Sequence, residues 1–148
     1  MHFPAVNYLA VLVAAIIIFA LGGLWYSPVL FVKKWLALQN RTVEQERAQA
    51  AAANMPLMYT SAFVTALITS WVMAHLLGHF AAAVDPSVMQ LNAAHGAMFG
   101  FVCWLGFAAP TSYATAIFSG KPKQLWLIDT SYNLVSFMLA GLILAVWR

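Results

Sequence analysis

Four apolar runs, each about 20 residues or longer and so long enough to cross the hydrocarbon core of a bilayer, take up most of this 148-residue chain. Nothing constrains the fold more. A backbone in lipid must satisfy its own hydrogen bonds, and these runs carry no alternating pattern of strands, so helices are the form left to them. Composition agrees. The chain is 64% apolar and 7% charged, against about 45–50% and 25% in soluble domains. The fold class expected is an all-α membrane protein, a four-transmembrane-helix bundle forming a single domain over residues 1–148. Its spans are expected at 5–26, 57–79, 88–109 and 125–147.

Residues 1–4 carry no Lys or Arg, and the apolar run behind them exceeds a typical signal-peptide core, so the first run is expected to be a retained helix. Its end is marked by Trp25-Tyr26-Ser27-Pro28. Trp and Tyr favour the headgroup level, and Pro28 cannot continue a helix without losing a hydrogen bond. In the loop 27–56, Phe31, Trp35 and Leu38 fall at i, i+4, i+7, which suits a short helix lying in the interface or a frayed extension of the first span. Thr42-Val43-Glu44-Gln45 has the form of a capping box opening an Ala-rich helix to about Ala53. Pro56 closes the loop. A short loop holds Asp85-Pro86, and the third span begins near Val88. Pro110 interrupts that span, so that 111–118 either continues past a kink or forms a separate turn. Ser119 to Lys123 makes a tight connection to the last span.

Basic residues set orientation. Lys33, Lys34, Arg41 and Arg47 lie in the first loop and Lys121 and Lys123 in the third, against Arg148 on the other side. Both basic loops are therefore expected in the cytoplasm and both termini outside it. The net charge of +3 is spread over these membrane flanks, so the partner it suits is the lipid bilayer and no nucleic acid. Cys103 is the single cysteine and forms no intrachain disulfide.

Three motifs carry a resemblance. Trp25-Tyr26-Ser27-Pro28 is followed by Phe31 and Trp35. Trp104-Leu105-Gly106-Phe107-Ala108-Ala109-Pro110-Thr111 forms the second. Gly120-Lys121-Pro122, Leu125-Trp126-Leu127-Ile128 and the closing run from Gly141 to Trp147 form the third. Together they resemble an uncharacterised family of small bacterial four-helix membrane proteins, a domain of unknown function. The resemblance implies the bacterial inner membrane and supplies no activity, cofactor or site residue. One departure is Asp129, where Asn is common in that family.

Ionisable groups inside a span are costly, about 2.5–3.5 kcal/mol for Asp at a helix centre, and for that reason merit attention. Asp129 opens a polar and small stripe on the last span with Tyr132, Asn133, Ser136 and Ala140. Thr111, Ser112 and Thr115 reach the same level across the short loop. One reading is an ion, proton or ligand site. The commoner role for such a residue is to cap the helix start and pair with Lys121 or Lys123. At the other membrane face, His75 and His79 stand at i, i+4 with His95 nearby, and His2 and Asp85 belong to the same side. Three neutral imidazoles could hold zinc or copper, and they titrate near neutral pH. The spacing lacks a strong motif, and histidines at such places more often bond to carbonyls and water. Ser61, Thr65 and Thr69 form a stripe that usually back-bonds to its own helix. Gly96 and Gly100 make a GxxxG motif extended by Gly106, and Ser70, Ala74 and Gly78 a second small-residue run. Both let helices approach closely, within a monomer or between copies.

No Walker loop, nucleotide-binding glycine fingerprint or paired carboxylates occur, which disfavours enzymatic chemistry, and no motif requires a cofactor. Three functions remain open: binding or transport of a small molecule or ion by a homo-oligomer, an accessory role in a larger membrane complex, and a metal-dependent role for the histidines.

Overall fold

The computed structural model describes residues 5–84 and 90–147. The described residues are helical, without strands, and four helices are long and apolar enough to span a membrane. The first crossing is α1, Tyr8–Trp25; the loop holds α2, Val32–Ala37, and α3, Val43–Ala52; the second crossing is α4, Met55–Ala83. The third runs through α5, Ala93–Cys103, a π-helical turn, Trp104–Ala108, and α6, Ala109–Phe118. The last is α7, Lys123–Val146. The bounds depart from those expected in informative ways. α1 starts at Tyr8 because Asn7 caps it, its side chain accepting from the N–H groups of Leu9 and Ala10. α4 begins two residues early, with Asn54 as its cap and Pro56 in the first turn, where a missing N–H costs nothing. Val88 lies outside the described residues, and helix resumes at Ala93 behind the Asn92 cap.

Pro110 does not end the third crossing. A proline inside a helix lacks its N–H and its ring crowds the carbonyl four residues back. The chain widens by one residue instead, so that Ala109 N–H donates to Trp104 O, and the helix runs on to Phe118. Thr111 Oγ1 donates to Phe107 O and Ala108 O, so a hydroxyl serves the carbonyls at the bend.

The interior is built from small residues and the outside from large ones, the reverse of a soluble bundle. Ala10, Ala14 and Ala15 of α1 meet Ala66, Met73 and Ala74 of α4 and Ala140 and Ala145 of α7 in one buried cluster. Leu12, Ile16, Ile68, Val102 and Leu105 face outward. In lipid, burial of leucine gains little, while close backbone approach gains packing contact. The closest approach joins α5 to α7. A Cβ on Gly96 would stand 2.3 Å from Gly141 O, and one on Gly100 2.1 Å from Phe137 O. The GxxxG motif therefore packs inside the chain, and Ser70 and Ala74 are buried as well. Gly78 is half-buried. Gly106 does not extend the α5–α7 contact: it faces outward, with open space where a Cβ would stand.

α3 lies outside this core, with no buried residue. Its start is held by the capping box: Gln45 N–H donates to Thr42 Oγ1, and Thr42 N–H donates to Gln45 Oε1. Thr42→Ala is expected to cost α3 about 1 kcal/mol, seen as faster amide exchange over residues 43–46. Hydrogen bonds from its own backbone N–H and from Thr42 hold the Glu44 carboxyl below its ordinary range. A depressed carboxyl contributes stability above its unfolded pKa and loses it as pH falls through the folded value. Exchange in the first turn of α3 should accordingly quicken on acidification below the usual carboxylate range.

Candidate functional site

Three consecutive residues of α7 each receive an indole N–H. Trp25 Nε1 donates to Ile128 O at 3.1 Å, Trp35 Nε1 to Asp129 Oδ1 at 3.0 Å, and Trp104 Nε1 to Thr130 O at 3.0 Å. In apolar surroundings an indole N–H must find an acceptor, and these three come from α1, α2 and the π turn. Local folding brings them there. After Trp25 the chain reverses around Ser27-Pro28, where Phe31 N–H donates to Trp25 O and Val32 N–H to Ser27 O. That reversal lays α2 beneath α7. Trp25 then packs at a tilt against Phe31, and Tyr26 meets Trp35 edge to face, with ring centroids 4.9 and 5.6 Å apart.

Asp129 is the charged member of this belt. Its Oδ1 accepts from both Tyr26 Oη, at 3.0 Å, and Trp35 Nε1. Its Oδ2 looks the other way, 3.8 Å from Lys121 Nζ. Lys121 is brought there by the α6–α7 turn. Gly120 adopts φ +67°, and Lys121 N–H closes back on Ala116 O. Gly tolerates this left-handed backbone at no steric cost. Asp129 does not cap α7, which starts at Lys123 behind Pro122. The ion pair of the bland reading is present, and its partner is Lys121.

Between α6 and α7 lies an open cavity of about 470 Å³. Asp129, Asn133, Thr111, Ser112 and Thr115, the polar residues singled out in the sequence, all line it, with Lys121 and Trp126 completing the polar rim. Tyr132 does not join them. It turns toward α1, donates to Ile18 O at 3.2 Å, and lines a second, aromatic cavity of about 490 Å³ with Tyr26, Tyr59 and Phe19. The reason is helical geometry: residues three apart share a face only loosely, and α1 offers Tyr132 an acceptor that α6 does not.

Among the described residues no three His, Cys, Asp or Glu side chains gather about one point. α4 packs on α1 and α5 on α7, so α4 and α5 scarcely meet. His95 turns its Nδ1 to Gln90 O at 3.0 Å, and the His75 ring rests edge-on against Trp71. His2 and Asp85 lie outside the described residues. On α4, Thr65 and Thr69 back-bond to Ala62 O and Thr65 O.

Residue by residue reading of polar groups missed Tyr26, Trp25, Trp35 and Trp104 as partners of α7. Their signal was present as aromatic N–H and O–H donors at span ends. A family model described as "Protein of unknown function (DUF1761)" matches residues 9–145, and the chain belongs to that family. No curated protein and no solved structure matches it.

Proposed function

We propose that this member of the DUF1761 family binds a small polar or charged molecule in the cavity between α6 and α7. One observation carries the reading: the hydrogen bonds that the fold makes to Asp129 all go to Oδ1, while Oδ2, ion-paired only with Lys121 at 3.8 Å, lines an open, polar cavity. The volume of about 470 Å³ suits a small ligand. Lys33, Lys34, Arg41, Arg47, Lys121 and Lys123 belong to the two loops at this end of the bundle, which supports a cytoplasmic position for the cavity in a bacterial inner membrane, with both termini on the far side.

Binding is favoured over transport within one chain. Beyond Asn133, α7 is buried at Ser136, Ala140, Gly141, Leu144 and Ala145 against its neighbours, so the cavity has no continuation along the helix. A path across the membrane would run between copies of the chain. The outward Thr65 and Gly106 support such a homo-oligomer. Gentle detergent extraction followed by mass measurement should then give multiples of one chain, and foreign subunits would instead assign it to a larger complex.

The binding test is a melting-temperature screen of the purified protein against simple amines, carboxylates and phosphates. A ligand at about 100 times its Kd adds about 2.7 kcal/mol, which reads as a rise of several degrees. At least one class should raise the parent and leave Asp129→Asn unmoved. If every class leaves both unmoved, or moves both alike, the cavity is not the site.

A further inference from the structure

The hydroxyl hydrogens around the cavity are already committed. Thr111 Oγ1 donates to Phe107 O, Ser112 Oγ to Ala109 O at 3.1 Å, and Thr115 Oγ1 to Thr111 O at 3.1 Å. A hydroxyl has one hydrogen and two lone pairs. With each hydrogen turned back on its own helix, only lone pairs remain for a ligand, and Ser112 spends one of those on Trp126 Nε1. Asp129 Oδ2 keeps its lone pairs open to a ligand, because Lys121 Nζ, though ion-paired with it at 3.8 Å, is beyond hydrogen-bond distance. Asn133, whose amide makes no hydrogen bond to another described residue, can turn either its carbonyl oxygen or its NH2 group to a ligand. The inner wall is thus rich in acceptors and carries a negative charge. Among the described residues Lys121 is the sole cation on the lining, and its side chain is half exposed, at the rim.

Granted the binding role proposed above, on which this step rests, we infer that the cavity selects a primary ammonium group, R–NH3+. An ammonium brings three N–H donors and a positive charge, which complement Oδ2, the Asn133 carbonyl and the threonine lone pairs. The Trp126 ring, packed at a tilt against Tyr113 with centroids 4.8 Å apart, adds an aromatic wall of the kind that attracts cations. Lys121 at the rim then meets an anionic group on the same ligand. An amine separated by a short linker from a phosphate or carboxylate has both features. Two sources supply that chemistry: the ethanolamine headgroup of a membrane lipid, and a soluble zwitterionic amine. A quaternary ammonium has no N–H to donate and should be refused.

Two arms separate the sources. In nanodiscs, native mass spectrometry compares retention of phosphatidylethanolamine and phosphatidylcholine with identical acyl chains. In detergent free of both lipids, calorimetric titration compares phosphoethanolamine with phosphocholine. The ethanolamine compound should win by about tenfold or more in at least one arm, the winning arm naming the source, and the preference should vanish in Asp129→Asn. Equal binding of both headgroups overturns the ammonium inference and leaves the binding role standing, as does a preference that survives in Asp129→Asn. Failure of every probe in both arms, together with a silent melting screen, overturns both.

Discussion

Replacing Gly100 by valine is expected to take the bundle apart. The Gly100 Cα already lies so near α7 that even a methyl group would sit 2.1 Å from Phe137 O and 2.5 Å from its carbonyl carbon. Backbone cannot swing aside as a side chain does. Carbon–oxygen contacts settle near about 3.3–3.6 Å, so the two helices would have to part by more than about 1 Å. That separation also breaks the fit of Gly96 against Gly141, where a Cβ on either glycine would stand 2.3 or 2.2 Å from the other's carbonyl oxygen. Overpacking costs about 1–3 kcal/mol where side chains can adjust, and here the upper end or more is expected. Gly100→Val should lose its cooperative melt in detergent, and Gly100→Ala should melt well below the parent. Gly106→Ala is the control: its Cβ meets open space, so stability should change by less than about 0.5 kcal/mol. Equal melting of Gly100→Ala and Gly106→Ala would remove the close approach from the account of the fold.

The consequence reaches the cavity. α5 leads through the π turn into α6, so the α5–α7 contact fixes how far Thr111 and Thr115 stand from Asp129. Packing and site are one construction. The sequence already carried both pieces, the GxxxG motif and the polar stripe, but not their relation. Small-residue runs tell that helices approach closely, and nothing in them names the partner. Gly141 is the missing half, an isolated glycine in an apolar run with no motif of its own.

Span number, the short α2 and the capped α3 were legible because each rests on local chemistry: length, aromatic anchors, a capping box. Pro110 left two outcomes open, since a π turn depends on whether neighbouring carbonyls can be served, and Thr111 serves them. Among the described residues the histidines do not gather about one point, for the opposite reason. Shared membrane depth is visible in a hydropathy pattern, but the azimuth of each helix is not, and α7 separates what depth alone would bring together. The same holds for Tyr132, which has the depth of Asp129 but the azimuth of α1. Asp129 itself was visible as a charge in an apolar span. Its partners were visible only as residues of the Trp-Tyr-Ser-Pro segment, whose need for acceptors had no direction until the fold supplied one.

Those partners make Asp129 the residue whose replacements should differ most from one another. Asp129→Ala strands two donors, Tyr26 Oη and Trp35 Nε1, that the fold brings to a single oxygen. Hydrogen bonds to a charged group contribute about 1.5–3 kcal/mol each, and the side chain here is 29% exposed, so a total loss of about 2–3 kcal/mol is expected after screening. The loss should be local before it is global. Trp35 is what fastens α2 to α7 across 94 positions of sequence, so amide exchange over residues 32–37 should accelerate first and the near-ultraviolet dichroism of the tryptophans should fall. Asp129→Asn keeps a carbonyl oxygen for both donors and loses only the charge, at a cost of about 1 kcal/mol, since neutral acceptors form bonds roughly half as strong. That substitution therefore separates two roles that alanine removes together: α2 stays docked, while the charge offered to the cavity through Oδ2 is gone. Tyr26→Phe and Trp35→Phe each delete one donor. Because they share an acceptor, their effects should fail to add, with a coupling of at least about 0.5 kcal/mol in a double-mutant cycle. If Asp129→Ala leaves exchange in α2 unchanged, the carboxylate does not hold the loop. If Asp129→Asn releases α2 as fully as alanine does, then charge, and not the shared acceptor, is what fastens it.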